Sequence, residues 1–388
     1  MVRIPRWAIG AAITVVAAVF AIVFSRSAPQ ARNEKDPVRI GVFLALTGDA
    51  AAYGVPIMNG GILAQEEINA AGGIGGRRLE FIVEDDKCDP ATGAAAAQKL
   101  VNVDKVKIAF GSACSGATLA AAPIFEESKT LLISPGAESP DISHAGDYIF
   151  RTVPSGGGQA KAAARYSWET LKARKAAVIS EQTDYGQSVR KVFIEEFKKL
   201  GGTILADEVF QGKDTDLRSQ ALKIKEQNPA IVYMVPQTPA SAELIIRQLR
   251  AQEVRAQIVA EGVTMGRDLI AQQPQLLKGV IGTEPDFDEK DEAAASLVAK
   301  YERRFKEKTP YPNYTSYMYS QTYLIKEGIE RVGEDPTKLK DWLYTVKSWK
   351  HAMGELSFDQ NGDAIAPYSI KQVQADGTVK ELQLVRPE

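Results

Sequence analysis

Histidine is nearly missing from this chain: His144 and His351 are the only two in 388 residues. A metal centre built on several histidines is therefore excluded, and general acid or base chemistry would fall to carboxylates. Neither sign of charge dominates, with 47 Lys and Arg against 49 Asp and Glu. Without a basic field to displace counterions, nucleic acid is not an expected partner, and nothing reads as an acidic solvating tail. Cysteine is equally scarce, with Cys88 and Cys114 the pair. No repeat of solenoid length occurs. What remains is an ordinary globular composition, 45% hydrophobic and 25% charged, over a length that suits two domains.

One long uncharged run stands near the N-terminus. Arg3 and Arg6 precede Trp7 to Phe24, 18 residues without a charge, and the polar tract Ser25 to Pro37 follows. Basic flank, apolar run and polar exit together predict export. The length lies between a cleaved signal, whose apolar region spans about 7 to 15 residues, and a membrane span of about 17 to 25. Ser25 and Ser27 stand three back and one back from Ala28, which favours cleavage there. Left uncut, residues 7–24 would anchor the chain to the inner membrane. No cysteine lies near the end of the run, so lipid attachment is not expected. Residues 1–27 are read as signal peptide or anchor and 28–37 as linker, with the remainder outside the cytoplasm.

Beyond Pro37, strand and helix patterns alternate. Arg39–Leu46, Leu79–Glu84, Lys107–Phe110, Thr130–Ser134 and Tyr148–Val153 read as strands, with helices over Val55–Ala71, Pro90–Val103 and Ala117–Ser128. A second set has strands at Lys175–Ser180, Thr203–Phe210, Ala230–Val235 and Gln257–Glu261, and helices at Tyr185–Leu200, Asp216–Gln227 and Ala240–Ala251. The alternation predicts an α/β fold with two doubly wound parallel-sheet lobes. Charged helices at 289–308, 314–332 and 338–346 come next, then short strands near 356–358, 368–373 and 381–385. That change of character suggests a chain that crosses back between lobes.

Few segments carry a chemical signal. Ser155-Gly156-Gly157-Gly158 follows a strand as a phosphate cradle would, but it lacks both the full GxGxxG spacing and a P-loop Lys, so a hinge or helix cap is the stronger reading. Gly72 to Gly76 lies between helix and strand and reads as a turn. Cys114 opens a helix, where the dipole would favour a thiolate nucleophile. In an oxidising compartment the simpler reading is a disulfide with Cys88, 26 positions away, worth about 3 to 4 kcal/mol by chain entropy. Ligands of doubly wound folds sit beyond the carboxyl ends of the strands. Those ends bring Tyr53, Ser112–Gly116, Pro135–Ser139, Glu181–Tyr185, Pro236–Thr238 and Glu261 into view. Amides at the helix start near Ser115 suit a carboxylate, Glu138 and Glu261 suit an ammonium, and Tyr53 and Tyr185 suit apolar walls.

Six segments taken together are more specific: Asn69–Gly76 (NAAGGIGG), Glu84–Pro90 (EDDKCDP), Gly111–Thr118 (GSACSGAT), Ser134–Pro140 (SPGAESP), Asp184–Gly186 (DYG) and Met353–Asp363 (MGELSFDQNGD). In order and spacing they resemble the periplasmic branched-chain amino acid (Leu/Ile/Val) binding proteins of ABC transporters, across about residues 38–375. The resemblance implies a type I periplasmic binding protein fold: two lobes joined by three crossovers, closing over a small ligand and delivering it to a membrane permease. It implies lobe 1 over 38–155 plus 283–352 and lobe 2 over 156–282 plus 353–388. It also implies a Cys88–Cys114 disulfide, carboxylate binding at Ser115, ammonium binding by the Gly136 carbonyl beside Ala137, aromatic walls at Tyr53 and Tyr185, and an ammonium partner at Glu261. No cofactor, metal or catalytic residue is implied, and a monomer is expected.

Two positions depart from the leucine binders. Glu138 stands where they have Thr or Ser, and Gln237 where a tyrosine lines the side-chain pocket. Gly156–Gly158 also replace acidic or polar residues, at the crossover. Two carboxylates facing one ammonium repel by about a few kcal/mol unless one is protonated or a second cation is present. The expected ligand is therefore amino-acid-like, with more positive charge or more polar donors than leucine. The other readings are a membrane-tethered sensing ectodomain and an exported hydrolase using Cys114 or Ser115.

Overall fold

The computed structural model describes residues 36–386; the predicted export segment and most of the predicted linker lie outside them. Among the described residues no helix is long and apolar enough to cross a membrane. In chain order the strands are β1 (Val38–Leu44), β2 (Leu79–Asp85), β3 (Ile108–Gly111), β4 (Leu131–Ser134), β5 (Ile149–Pro154), β6 (Lys175–Glu181), β7 (Thr203–Phe210), β8 (Ile231–Val235), β9 (Gln257–Glu261), β10 (Ile281–Pro285), β11 (Trp349–His351), β12 (Gly354–Leu356), β13 (Asp363–Ala364), β14 (Tyr368–Val373) and β15 (Val379–Val385). The helices are α1 (Ala51–Ala70), α2 (Pro90–Asn102), α3 (Ser115–Glu127), α4 (Gly156–Glu169), α5 (Asp184–Lys199), α6 (Arg218–Gln227), α7 (Pro239–Ala251), α8 (Arg267–Gln272), α9 (Pro274–Leu277), α10 (Glu292–Phe305), α11 (Pro312–Val332) and α12 (Pro336–Tyr344).

Two sheets carry the fold. The first runs β13-β5-β4-β3-β1-β2 and the second β15-β14-β10-β9-β8-β6-β7. All pairs are parallel except β10–β14 and β14–β15. Central strands are buried on both faces, as in Ile231–Val235 (IVYMV), because helices cover each side and exclude alternation. Each Val, Ile or Leu buried this way contributes about 1.5 to 3 kcal/mol. Local sequence sets the helix starts. Asp89 caps α2 by accepting from the Thr92 amide, with Pro90 next; Thr183 caps α5 through Gly186; Thr238 and Ser241 form a reciprocal capping box on α7. Each cap satisfies amides that the helix cannot.

The chain passes between sheets three times: after β5, after β10 and between β13 and β14. The second and third passages lie later than the sequence suggests. Ile281 and Gly282 begin a strand of the second sheet, paired with Val259 and Ala260, so the passage follows Pro285 rather than residue 282. Residues 353–364 stay with the first sheet, because Asp363 registers against Arg151 of β5. A two-residue strand held by a tertiary ion pair leaves no local pattern to read.

Helix α4 was also hidden. It opens on three glycines, the weakest helix formers after proline, and Ser155 caps it by accepting from the Gly157 amide. The Gly156 amide donates to the Glu138 carbonyl at 2.8 Å and the Gly158 amide to Ser155 at 2.9 Å. With these amides occupied, the segment is a cap and crossover, not a phosphate cradle. Gly158 is required there: a Cβ would fall 2.3 Å from the Tyr368 hydroxyl, which donates to the Ser155 carbonyl at 2.7 Å.

Candidate functional site

Strands β3 and β4 end in two short loops that face each other. Ser134 donates to the Ser112 carbonyl at 2.6 Å, Ser112 accepts from the Cys114 amide at 3.0 Å, and Thr118 donates to the Cys114 carbonyl at 3.0 Å. These bonds fix the start of α3 in space. Cys114 is joined to Cys88 with sulfurs 2.02 Å apart, so its thiol is not available as a nucleophile. Ser115 is buried, and its Oγ accepts from the Ser139 amide at 3.0 Å, which leaves the hydroxyl proton free to donate. Its partner is thus a backbone amide rather than a base. The end residue of α3, Cys114, supplies no side-chain cap, so the first-turn amides of this 13-residue helix retain their pull on an anion.

The second sheet contributes the opposite wall. Tyr185 sits in the first turn of α5 and is buried. Gln237 follows β8; its amide donates to Glu181 Oε2 at 2.8 Å, and its side-chain Nε2 reaches across to the Tyr53 hydroxyl at 3.2 Å. Tyr53 Oη lies 3.2 Å from Cys114 Sγ, which ties the disulfide to the same network. Between the walls is a cleft whose open space, mouth included, is about 420 Å³.

Tyr53, Ser115, Gly136, Glu138, Tyr185 and Gln237 line that cleft. Two further sequence candidates do not. Ala137 is buried beside it and spends its carbonyl on Arg151 Nη1 at 3.3 Å. Glu261 is fully buried behind the wall: Oε1 accepts from the Tyr233 hydroxyl, while Oε2 has no hydrogen-bond partner among the described residues. Sequence reasoning missed Ile57, Ala113, Val263, Tyr311 and Tyr314 in the lining. Tyr311 precedes α11 and Tyr314 lies in its first turn, at the three-residue spacing that places two rings on one side. Charge along the rest of α11 masked that signal.

Burial dominates the electrostatics. It pushes Glu138 up to about 7, although the Tyr314 hydroxyl holds the carboxylate at 2.9 Å. Glu261 is driven well above the usual carboxylate range by burial, with Glu138 adding to the shift and Tyr233 opposing it. The Arg151 guanidinium lowers Glu138 only in part, against the larger effect of burial. Arg151, fully buried, holds Asp363 through Nε at 2.6 Å and Nη2 at 2.7 Å, and donates to the Ser139 carbonyl at 2.8 Å. It braces the loop carrying Glu138 while its charge is matched elsewhere.

Comparison with known proteins bears on this geometry. A family model described as periplasmic binding protein matches residues 37–378. A Leu/Ile/Val-binding protein homolog 1 from Brucella abortus is 30% identical over 333 residues, covering 85% of this chain and 88% of that protein. The leucine-, isoleucine-, valine-, threonine- and alanine-binding protein of Pseudomonas aeruginosa is 29% identical, over 84% of this chain and 87% of its own. The branched-chain amino acid transporter substrate-binding protein of Streptococcus pneumoniae, solved with isoleucine, superposes with a TM-score of 0.80 at 27% identity, over 90% of this chain and all (100%) of that one. A solute-binding protein of an R. palustris ABC transporter, solved with benzoate, shares the fold at TM-score 0.81 and 20% identity, over 90% and 97% of the chains.

Proposed function

This chain belongs to the periplasmic binding protein family, and from that premise we propose that it captures an amino acid between its two lobes and delivers it to the permease of an ABC importer. The observation that supports this most directly is the polarity of the cleft. One end offers the Ser115 hydroxyl and the uncapped amides of α3, donors suited to a carboxylate. The other offers the Gly136 carbonyl in the lining and the unpartnered Glu261 Oε2 just behind it, acceptors suited to an ammonium. Tyr53 and Tyr185 close the sides.

Capture is a two-state process in this reading. Hydrogen bonds from Gln237 to Tyr53, at 3.2 Å, and from Tyr311 to the Val263 carbonyl, at 3.0 Å, join the two lobes and break when they part. A ligand touching both walls shifts the balance toward closure. No covalent step is part of this reading, since Cys114 is spent in the disulfide and Ser115 is bonded to an amide. The chain works as an exported monomer.

Thermal shift and calorimetry over the L-amino acids test the reading. Ligand at 100 times its dissociation constant adds about 2.7 kcal/mol to native stability, so a clear rise in melting temperature is expected for at least one of them. Ser115→Ala is expected to weaken that ligand by about 10-fold or more through loss of a charge-assisted bond. A flat response across the series would overturn the assignment.

A further inference from the structure

Charge balance inside the closed cleft is incomplete. Four carboxyl groups gather at this end of the cleft, Glu138, Glu261, Asp363 and Glu284, and two are already matched: Asp363 holds Arg151 at 2.6 Å and Glu284 holds Lys371 at 2.8 Å. Among the described residues, Glu138 and Glu261 form no ion pair, and each receives its closest hydrogen bond from a tyrosine. Glu138 is 4% exposed and lines the cleft; Tyr314 occupies Oε1, and the Gln159 side chain is the other hydrogen-bonding group that faces the carboxyl. Gln159 of α4, one turn on from Gly156, which bonds the Glu138 carbonyl, is fully buried facing that carboxyl, and its side-chain amide makes no hydrogen bond of good geometry among the described residues. A buried carboxylate without a cation, beside an amide that is poorly bonded, is costly. A ligand that brings a donor cation would satisfy both at once.

Resting on the amino-acid reading above, we propose that the ligand is a basic amino acid, one carboxylate with two cationic nitrogens, and that Glu138 selects the second nitrogen. Ser115 and the α3 amides take the carboxylate, Glu261 the α-ammonium, and Glu138 Oε2 with the Gln159 carbonyl oxygen the side-chain cation. Two ligand cations then meet two protein carboxylates, and the repulsion that a neutral-side-chain amino acid would leave in place is removed. Tyr311 and Tyr314, which line the cleft on this side, add ring faces that favour a cation over an alkyl group. A single ammonium shared by both carboxylates would leave Gln159 unsatisfied.

Calorimetric titration with leucine, isoleucine, 2,4-diaminobutyrate, ornithine, lysine and arginine decides the matter. At least one basic amino acid is expected to bind about 100-fold more tightly than leucine, and Glu138→Gln to cut that preference by about 30-fold or more. A second readout uses unmodified protein: titration at pH 7 in two buffers of different ionisation enthalpy should show proton release as the cation seats on Glu138. Leucine binding at least as tightly as every basic amino acid, or a preference untouched in Glu138→Gln with no proton released, would overturn the inference and leave the amino-acid reading standing. Silence from all six ligands would overturn the inference, and the amino-acid reading falls with it only when the rest of the L-amino acid series is silent too.

Discussion

Glu138 shows how one side chain sets a pH dependence for the whole protein. Its carboxyl is raised by burial from the usual range to about 7. The groups facing it are Tyr314 of α11, Gln159 of α4, Tyr185 of α5, Arg151 of β5, Glu261 of β9 and Glu284 of β10. Three of these are charged: Arg151 is already matched by Asp363, and Glu261 and Glu284 carry the same sign as Glu138, so none holds it ionised. Because the folded state binds the proton more tightly than the unfolded state, this group's contribution to stability falls as pH rises from about 4.5 to about 7. The drop is at most about 3 kcal/mol from this carboxyl, and Glu261, shifted in the same direction, adds to it. Denaturant melts of ligand-free protein at pH 5 and pH 7.5 should therefore show Glu138→Gln gaining on the unsubstituted protein at the higher pH. Equal differences at both pH values would show that the Glu138 carboxyl is solvated or paired in solution. At this scale the sequence was a guide at most strand ends, since Ser115, Gly136, Glu138, Tyr185 and Gln237 reach the cleft, whereas Glu261, at the end of β9, is buried behind its wall. It failed for Tyr311 and Tyr314, which enter from a helix more than a hundred residues downstream through packing of α11 on α1, a tertiary event without a local pattern.

Elements, taken one by one, follow their own sequence where propensity and burial agree. The apolar runs of β1, β8 and β9 and the capped starts of α2, α5 and α7 were legible because each carries its signal within about ten residues. Helix α4 and strand β10 were not, since one opens on glycine and the other, Ile281–Pro285, ends on proline. The start of α3 is the element whose position matters most, because its amides face the cleft. Its anchor is the Cys88–Cys114 bond, which spans 26 residues of sequence and by chain entropy stabilises by about 3 to 4 kcal/mol. The double variant Cys88→Ser with Cys114→Ser should lower the unfolding free energy by about that amount in urea. It should also weaken ligand more than stability alone explains, because Tyr53, held against Cys114 at 3.2 Å, loses its support. Unchanged affinity in protein that still folds would separate the disulfide from the site and confine it to stability.

For the whole molecule, three passages of the chain between the sheets make the lobes interdependent, and the third is pinned by Arg151 and Asp363 directly under the loop of Glu138. The two lobes were legible from the repeated alternation, but the passages were not, since each is set by which sheet a short strand joins. Closure then depends on few contacts: the hydroxyls of Ser139 and Ser188 meet at 2.9 Å, Gln237 reaches Tyr53, Tyr311 reaches Val263, and the Arg267 amide donates to the Pro310 carbonyl at 3.1 Å. Neutral hydrogen bonds of this kind contribute about 0.5 to 1.5 kcal/mol each, because opening returns both partners to water. Such a balance is small enough for a ligand to tip. Ser188 offers a clean test, since it is absent from the cleft lining and acts across the lobes only through Ser139. In Ser188→Ala the closed complex loses one bond that the open complex never had. Ligand dissociation, followed by tyrosine fluorescence in stopped flow, should accelerate about 3- to 10-fold, while association, governed by encounter with the open form, should change far less. Small-angle scattering of the ligand-free variant should show a larger mean radius than the unsubstituted protein. A dissociation rate that does not move would place the barrier to release inside the cleft, at the ligand's own contacts, and remove lobe closure as the step that holds it.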